Sequence, residues 1–267
     1  MALSLFLAAA AAIGVTDNPC PAPPPMPAEL EAWRTAASAA KGQAVPPPVA
    51  AAAAYRDAYN AARKADWADL CHYRADNARL MALPKAARDI VFMGDSITEG
   101  WAAGDPAFYR DGRINRGIGG QTTQQMLLRF PQDVIALHPR MVHIMAGTND
   151  VAGNTGPTTL DAIEGNIAAM IVLAKAARIR VVLASTPPAR FFTWAPAVQP
   201  APVIAALNER LRRLAARERV TFLDYGAVLA TPEGALRPEY TFDGVHPNAA
   251  GYAAMEPSVR KALTAVR

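Results

Sequence analysis

The sequence predicts an α/β protein in which helices cover both faces of a parallel β-sheet. From Ala87 onward, short apolar stretches alternate with longer stretches that have the periodicity of amphipathic helices. Continuous apolar strands separated by helices are typical of parallel sheets that are buried on both sides. Unusual clusters of polar residues follow the apolar stretches, and in such sheets the active site lies outside the carboxyl ends of the strands.

The apolar stretches predict a sheet of five strands. These are expected at 89–93, near Ile114, at 141–146, at 180–185 and at 220–225. The amphipathic stretches of this part of the chain predict helices at 121–137, 158–178, 201–218 and 248–265.

The beginning of the chain is expected to direct the protein out of the cytoplasm. Residues 1–19 are expected to hold a signal peptide and the start of a linker, because Met1 to Val15 is apolar and offers A-x-A cleavage sites. No Lys or Arg precedes Leu3, so a frayed apolar terminus or a misassigned start codon is the alternative. A signal peptide implies a periplasmic or secreted location.

Residues 20–87 are expected to contain a Pro-rich linker and a helical extension. The prolines between residues 19 and 27 favour an extended chain. Helices are then expected at 28–41 and 50–80. The aromatic residues of the second helix recur near helical spacing and are expected to pack against the main domain: Tyr55, Tyr59 and Trp67.

The composition is that of an ordinary globular protein and favours neither a nucleic-acid nor a membrane partner. The chain has 267 residues, of which 52% are hydrophobic, and a net charge of +4. The apolar start is shorter than the roughly 20 residues of a membrane span. One amphipathic stretch carries five arginines that are expected to form a solvated helix face: Arg210, Arg212, Arg213, Arg217 and Arg219.

The two cysteines, Cys20 and Cys71, are expected to form a disulfide bond. Export to an oxidising compartment would permit this bond, and neither residue lies in a C-x-x-C motif. His72 is the one histidine close to either cysteine, so the surroundings do not resemble a metal site. Two unrelated thiols are the alternative.

Gly94-Asp95-Ser96 follows the first strand and supplies the candidate nucleophile. A serine at a sharp strand-to-helix turn is exposed at the sheet edge, where the N–H groups of a helix N-terminus favour developing negative charge. Thr98 occupies the place of the second glycine in G-x-S-x-G, which argues against the nucleophile elbow of an α/β-hydrolase. The alternative is a plain turn with a helix-capping serine, and Asp95 is expected to support the turn.

Two further clusters supply candidate hydrogen-bond donors. Glycines after the second strand, up to Gly120, let the backbone approach a ligand closely. Thr122 occupies the last glycine position of G-x-G-x-x-G, so this stretch is not a dinucleotide motif. Asn149, after the third strand, carries an amide able to donate to an oxyanion. The alternatives are a flexible turn and an Asn/Asp turn.

Asp243-Gly244-Val245-His246 supplies the candidate base. A carboxylate three residues from a histidine on one loop can hold the imidazole in a single tautomer. Further ligands are lacking nearby, so no metal is expected, and no other cofactor is expected. The other histidines, His72, His138 and His143, lack such a partner, and His143 is expected to be a hydrogen-bonded core residue.

Together and in this order, the four clusters resemble those of the SGNH hydrolases, also called the GDSL esterase/lipase family. The matching blocks are G-D-S at 94–96, N-x-G-x-x-G at 115–120, G-x-N-D at 147–150 and D-x-x-H at 243–246. The resemblance spans residues 88 to 262 and does not cover the N-terminal 87 residues.

The resemblance implies a flavodoxin-like three-layer α/β/α fold for a hydrolase domain at 88–267. It also implies Ser96 as nucleophile, His246 as general base and then general acid, and Asp243 as its orienting partner. The oxyanion hole would comprise the backbone N–H groups of Ser96 and Gly120 and the side chain of Asn149. The implied chemistry is acyl transfer through a covalent acyl-enzyme.

By analogy with the family, the expected activity is hydrolysis of short-chain acyl esters, acetyl esters above all, with acylated sugars among the substrates. The loop that follows the fourth strand either lines the substrate pocket or packs onto the core with its residues Arg190, Phe191, Phe192 and Trp194.

Other activities remain open at this point. A lysophospholipase or thioesterase of the same family would prefer long acyl chains, and an O-acyltransferase would pass the acyl group to a sugar hydroxyl. The non-enzymatic alternative is a glycan-binding module on an inactive scaffold. The complete set of candidate catalytic residues argues against that alternative.

Overall fold

The computed structural model describes residues 19–20, 24–39 and 48–265, and it confirms the predicted α/β fold. The five strands are parallel and lie in the order β2-β1-β3-β4-β5. They are β1 (Ile90–Gly94), β2 (Arg113–Gly117), β3 (Met141–Met145), β4 (Arg180–Ala184) and β5 (Thr221–Leu223). The chain adds β2 on one side of β1 and then adds β3, β4 and β5 on the other side, as in flavodoxin-like sheets.

The α-helices of the described residues are α1 (Ala28–Ala39), α2 (Val49–Arg63), α3 (Arg74–Met81), α4 (Ser96–Gly104), α5 (Thr123–Asp133), α6 (Thr148–Val151), α7 (Leu160–Ala176), α8 (Pro200–Glu218), α9 (Gly226–Leu229) and α10 (Ala249–Ala265). Short 3₁₀ turns occupy Lys85–Arg88, Ile135–Leu137 and Pro238–Tyr240. None of these helices has the length and apolar character needed to cross a membrane.

Helices cover both faces of the sheet, which gives the three layers. Successive residues of β1 point to opposite faces, so Val91 and Met93 face one core and Ile90 and Phe92 face the other. The first core includes side chains of α5, α7 and α8, and the second includes side chains of α4 and α10. Because β1 is buried on both sides, its sequence is apolar throughout rather than alternating.

The prediction of one helix at 50–80 is wrong, because a turn separates α2 from α3. The Asp66 carboxylate accepts the backbone N–H groups of Leu70 and Cys71, each at 2.8 Å. Asp69 lies in the left-handed region with a φ of 55°. A side chain that bonds nearby backbone groups competes with helix formation, and here it holds the turn.

The N-terminal segment, defined as residues 24–39 and 48–88, packs on the rest of the chain largely through polar contacts. Gln125 Nε2 donates to the carbonyl of Trp67 at 2.7 Å, and Asn77 Nδ2 donates to Asp133 Oδ1 at 2.6 Å. Trp67, one of the aromatic residues expected to pack against the main domain, is 45% exposed.

A disulfide bond joins Cys20 to Cys71 across 51 positions of sequence. It connects the chain before α1 to the turn between α2 and α3. The signal peptide expected within residues 1–19 and the last two residues of the helix expected at 28–41 lie outside the described residues, apart from Pro19.

A buried arginine, Arg129 on α5, organises the carboxyl ends of β1 and β2. Its Nη2 donates to the carbonyl oxygens of Gly94 at 3.0 Å and Arg116 at 2.8 Å. Its Nε donates to Gln121 Oε1 at 2.5 Å, and its Nη1 pairs with Asp133 at 3.1 Å. The guanidinium group therefore fixes two strand ends and the loop that follows β2.

Replacing Arg129 with methionine should lower the free energy of unfolding by about 3–5 kcal/mol, because Asp133 would remain buried without its ion-pair partner. Urea unfolding followed by circular dichroism measures this change. Arg213→Met is the control, since the Arg213 side chain is exposed and its ion pair, with Glu209 at 3.1 Å, is exposed as well. That control should change the free energy of unfolding by less than about 1 kcal/mol. Equal effects of the two substitutions would contradict the role given to Arg129.

Candidate active site

Ser96, His246 and Asp243 form a continuous hydrogen-bonded chain at the carboxyl end of the sheet. Ser96 Oγ and His246 Nε2 lie 2.9 Å apart, and His246 Nδ1 lies 2.6 Å from Asp243 Oδ2. An ionised carboxylate only accepts hydrogen bonds, so Nδ1 carries the proton toward Asp243. In the neutral ring, Nε2 is then free to accept the proton of Ser96.

The end of β1 places Ser96 at the first position of α4. Asp95 precedes it as the N-cap, and its Oδ1 accepts the N–H of Ile97 at 2.9 Å. Gly94 is required because a Cβ there would lie 2.0 Å from Thr98 Oγ1 and 2.9 Å from the carbonyl of Met145. The hydroxyl of Ser96 therefore lies beside the N–H groups of a helix N-terminus.

The loop before α10 presents His246. Asp243 Oδ1 accepts the backbone N–H groups of Val245 at 2.9 Å and His246 at 2.8 Å, while Oδ2 accepts the ring. Gly244 has a φ of 87°, which lets the chain turn back so that one carboxylate contacts both the backbone and the ring.

The surrounding charges favour a protonated His246. Burial lowers the pKa of His246, but the hydrogen bond and charge of Asp243 outweigh it, with help from Asp95 and Glu99, so the pKa lies above its ordinary value. Burial raises the pKa of Asp243, but the contacts with His246 hold it below its ordinary value. Burial also raises the pKa of Asp95, to about 6.

Gly120 and Asn149 lie with Ser96 and His246 around a cavity of about 250 Å³. Gly120 follows β2 with a φ of 76°, a conformation that favours glycine. Asn149 is buried on α6 after β3, and its Nδ2 donates to the carbonyl of Gln121 at 3.0 Å. The structure thus brings together all five residues that the sequence singled out for the reaction.

Asn154 is a site residue that the sequence did not indicate. Its Nδ2 donates to Asn149 Oδ1 at 2.8 Å and to the carbonyl of Gly120 at 3.1 Å. Its Oδ1 accepts the indole N–H of Trp194 at 3.1 Å. Asn154 therefore joins the residues that carry the candidate oxyanion donors, and no local sequence pattern marks a contact of this kind.

The four candidate pocket residues of the loop after β4 lie in three different surroundings. Trp194 lines the cavity beside Ser96. Phe192 was a candidate pocket residue, but it is 1% exposed in an apolar cluster and stacks on Trp194 from inside. Arg190 and Phe191 line a neighbouring cavity of about 310 Å³ that Ser96 does not reach. Only Trp194 has the position expected of the set.

His143 is a core residue, as the sequence predicts. It is fully buried in β3, and its Nε2 lies 3.0 Å from the Tyr225 hydroxyl. Burial lowers the pKa of His143 to about 3, so its ring is neutral at ordinary pH.

A second cavity, of about 260 Å³, reaches Ser96 and His246 from the side of the N-terminal segment. Leu30, Trp33 and Tyr55 contribute to its wall, and none of them carries a motif. Phe242 also lines this cavity, and its ring stacks on that of His246 with 5.8 Å between centroids.

The chain is similar to known proteins over most of its length. A family model described as the GDSL-like Lipase/Acylhydrolase family matches residues 92–254. The structure resembles that of a Bacteroides fragilis protein named as an acylhydrolase, with a sequence identity of 46% and a TM-score of 0.71. The similarity covers 74% of this chain and 97% of that protein. The structure also resembles a GDSL-like lipase from Bacteroides thetaiotaomicron, with 44% identity, 74% and 98% of the two chains covered, and a TM-score of 0.71.

One match to a curated protein is short. An uncharacterized lipoprotein of Bacillus subtilis is 54% identical over 39 residues, which are 15% of this chain and 16% of the lipoprotein.

The pKa of His246 should be measurable by NMR titration of its ring protons, and it should exceed the ordinary value of about 6.5. Asp243→Asn removes the charge that stabilises the imidazolium, so the pKa should fall in that variant. His143 is an internal control, because a pKa of about 3 predicts no titration near neutral pH. An unchanged pKa of His246 in Asp243→Asn would show that the carboxylate does not control the base.

Proposed function

Because the chain belongs to the GDSL-like lipase/acylhydrolase family and is a carboxylic ester hydrolase, we propose that it cleaves short-chain acyl esters with Ser96 as nucleophile. The observation that carries this proposal is the chain of contacts from Ser96 Oγ to His246 at 2.9 Å and on to Asp243 at 2.6 Å. A nucleophile, a base and a carboxylate that orients the base are the parts that acyl transfer needs.

In the proposed reaction, His246 Nε2 takes the Ser96 proton while Oγ attacks the ester carbonyl carbon. The tetrahedral intermediate collapses when the bond to the alcohol oxygen breaks, and the alcohol leaves with the proton from His246. Water then attacks the acyl-enzyme, and His246 accepts a proton from the water. Collapse of the second intermediate returns the proton to Ser96 Oγ and releases the carboxylic acid.

The proposed oxyanion donors are the backbone N–H groups of Ser96 and Gly120 and the Nδ2 of Asn149. Support comes from their shared cavity and from the hydrogen bonds of Asn149 Nδ2. Besides its 3.0 Å bond to the carbonyl of Gln121, this amide nitrogen makes, within the described part of the chain, a long contact of 3.4 Å with Asp95 Oδ2. A donor of this kind lowers the barrier by about 2.7–4 kcal/mol in other serine hydrolases.

The proposed preference for short acyl groups, acetyl among them, rests on the size of the two cavities at Ser96. They measure about 250 and 260 Å³, which is below the roughly 300–1,000 Å³ of pockets for drug-sized ligands. The exposed Trp194 ring and the Asn154 amide flank the first cavity, and an aromatic face beside a polar amide suits a sugar as the alcohol half.

We also propose that the protein functions outside the cytoplasm. The disulfide between Cys20 and Cys71 supports this, because such bonds persist in oxidising compartments. The short match to a bacterial lipoprotein agrees with the same location.

Ser96→Ala should lower kcat for 4-nitrophenyl acetate by about 10³-fold or more, since the nucleophile is lost. The assay is run with EDTA and without added metal, and release of nitrophenolate is followed by absorbance. Ser258→Ala, on α10, is the matched control and should retain full activity. Undiminished turnover by Ser96→Ala, or loss of wild-type turnover on adding EDTA, would contradict the serine mechanism.

Asn154→Ala should lower kcat for the same ester by about tenfold, which is less than the effect of removing an oxyanion donor. The donor groups of Asn149 and Gly120 would remain, but the hydrogen bonds from Asn154 that hold them in position would be lost. Thr155→Ala is the control, since the Thr155 hydroxyl donates to Thr122 and not to either donor residue. Steady-state kinetics separate kcat from KM. An equal kcat for wild type and Asn154→Ala would exclude the positioning role.

A further inference from the structure

Helix α1 has a defined position relative to the catalytic groups. Arg34 Nη2 lies 3.0 Å from Oε1 of Glu99, which is on α4 one turn after Ser96. The rings of Trp33 and Phe242 are perpendicular, with centroids 6.4 Å apart. Because Phe242 in turn stacks on His246, α1 contacts a residue beside the base as well as the helix that carries the nucleophile.

The cavity of about 260 Å³ lies between α1 and these groups. Its wall on the side of the N-terminal segment consists of Met26, Leu30, Trp33, Arg34, Ala37 and Tyr55. All of these residues precede residue 92, where the match to the family model begins. The wall that these six residues form therefore lies outside the part of the chain that the family model matches.

The cavity suits an apolar group and not a sugar. Its charged lining residues are all paired, Arg34 with Glu99 and Asp243 with His246. Leu30 and Ala37 offer no hydrogen-bonding side chains, and the Met26 sulfur already accepts a hydrogen bond from Arg34 Nη1 at 3.7 Å. The Tyr55 and Ser96 hydroxyls also line the cavity, so a hydroxylated ring would regain only part of the hydrogen bonding that it loses with its water, whereas an alkyl chain would gain from burial.

The chemistry of the reaction assigns the cavity to one half of the ester. The carbonyl oxygen must point to Gly120 and Asn149, and the leaving alcohol must reach His246 Nε2. Both cavities border Ser96 and His246, but only the first of the two, beside Trp194, also borders Gly120 and Asn149, and it has an exposed edge for a polar alcohol. The acyl substituent then takes the remaining direction from Ser96, toward α1.

We propose that the N-terminal segment forms the acyl-binding pocket of the enzyme and sets the length of acyl chain it accepts. This inference rests on the proposed function. The volume of about 260 Å³ exceeds that needed for acetyl, since cavities of about 150 Å³ accommodate benzene. Butyryl and hexanoyl groups should therefore fit, and each further buried methylene should improve kcat/KM by up to about fourfold until the pocket is full.

Ala37→Leu and Ala36→Leu test this proposal as a matched pair. Ala37 is buried and lines the pocket, whereas Ala36 is exposed on the same helix. In Ala37→Leu the ratio of kcat/KM for 4-nitrophenyl hexanoate to that for 4-nitrophenyl acetate should fall about tenfold, because the new side chain occupies the space of two or so methylenes. In Ala36→Leu this ratio should equal that of the wild type.

Leu30→Ala enlarges the pocket instead of filling it, and it keeps the proposal testable if Ala37→Leu fails to fold. Enlarging the pocket should raise the ratio of octanoate to acetate hydrolysis. A series of alkyl acetates, followed by pH-stat, varies the alcohol instead, and its profile should be the same in wild type and both pocket variants. Pocket variants that alter the alcohol profile but not the acyl profile would overturn the assignment, and so would variants that alter neither.

Ligand binding without turnover separates this proposal from the proposed function. Hexanamide, an uncharged acyl mimic, should bind Ser96→Ala more tightly than acetamide does and should change the fluorescence of Trp33. Adding Ala37→Leu to Ser96→Ala should weaken hexanamide binding about tenfold. Failure of hexanamide to bind would overturn the acyl pocket even if Ser96 is the nucleophile, and tight binding to a chain without esterase activity would refute only the proposed function.

Discussion

The buried guanidinium group of Arg129 is the contact on which the geometry of the site depends. It holds the carbonyl of Gly94, the residue before Asp95-Ser96, and the carbonyl of Arg116, just before the loop that carries Gly120. Its third contact is Gln121, whose own carbonyl accepts the amide of Asn149. The positions of the nucleophile and of two candidate oxyanion donors are therefore tied to one rigid group in the core, as preorganised catalysis requires.

The same polar network reaches the N-terminal segment. Gln121 Nε2 donates to the carbonyl of Ala68 at 3.0 Å and to Asp69 Oδ2 at 2.9 Å. Gly119 donates its N–H to Glu99 at 2.8 Å, and Glu99 also pairs with Arg34 of α1. The glycine loop is thus linked to residues before β1 directly through Gln121 and, from Gly119, indirectly through Glu99. The network makes the N-terminal segment part of the environment of the site rather than a separate attachment.

The strands, the flanking helices and the residues of the proposed triad could be predicted because each is marked locally. An apolar run such as Ile90–Gly94 or a D-x-x-H cluster carries its signal within a few positions of sequence. Asn154 and Arg34 could not be predicted, since their roles depend on Gly120 and Glu99, which lie 34 and 65 positions away in the sequence. Periodicity also failed to distinguish Phe192 from Trp194, because loop residues have no repeating geometry to show which side faces the core.

The proposed pocket reduces the stability that α1 gains from burial, and the disulfide bond offsets this loss. A helix whose apolar face borders an open cavity gains less from burial than one packed on a core, so α1 needs other restraints. The ion pair between Arg34 and Glu99 is partly exposed and therefore weak. A bond between Cys20 and Cys71 closes a loop of 51 positions that contains all of α1, and in the chain-entropy model such a loop contributes roughly 4 kcal/mol. Reduction of this bond would weaken the pocket wall while the triad, which lies outside the loop, would keep its own contacts. An oxidising environment would in this way favour the form of the enzyme with a complete acyl pocket.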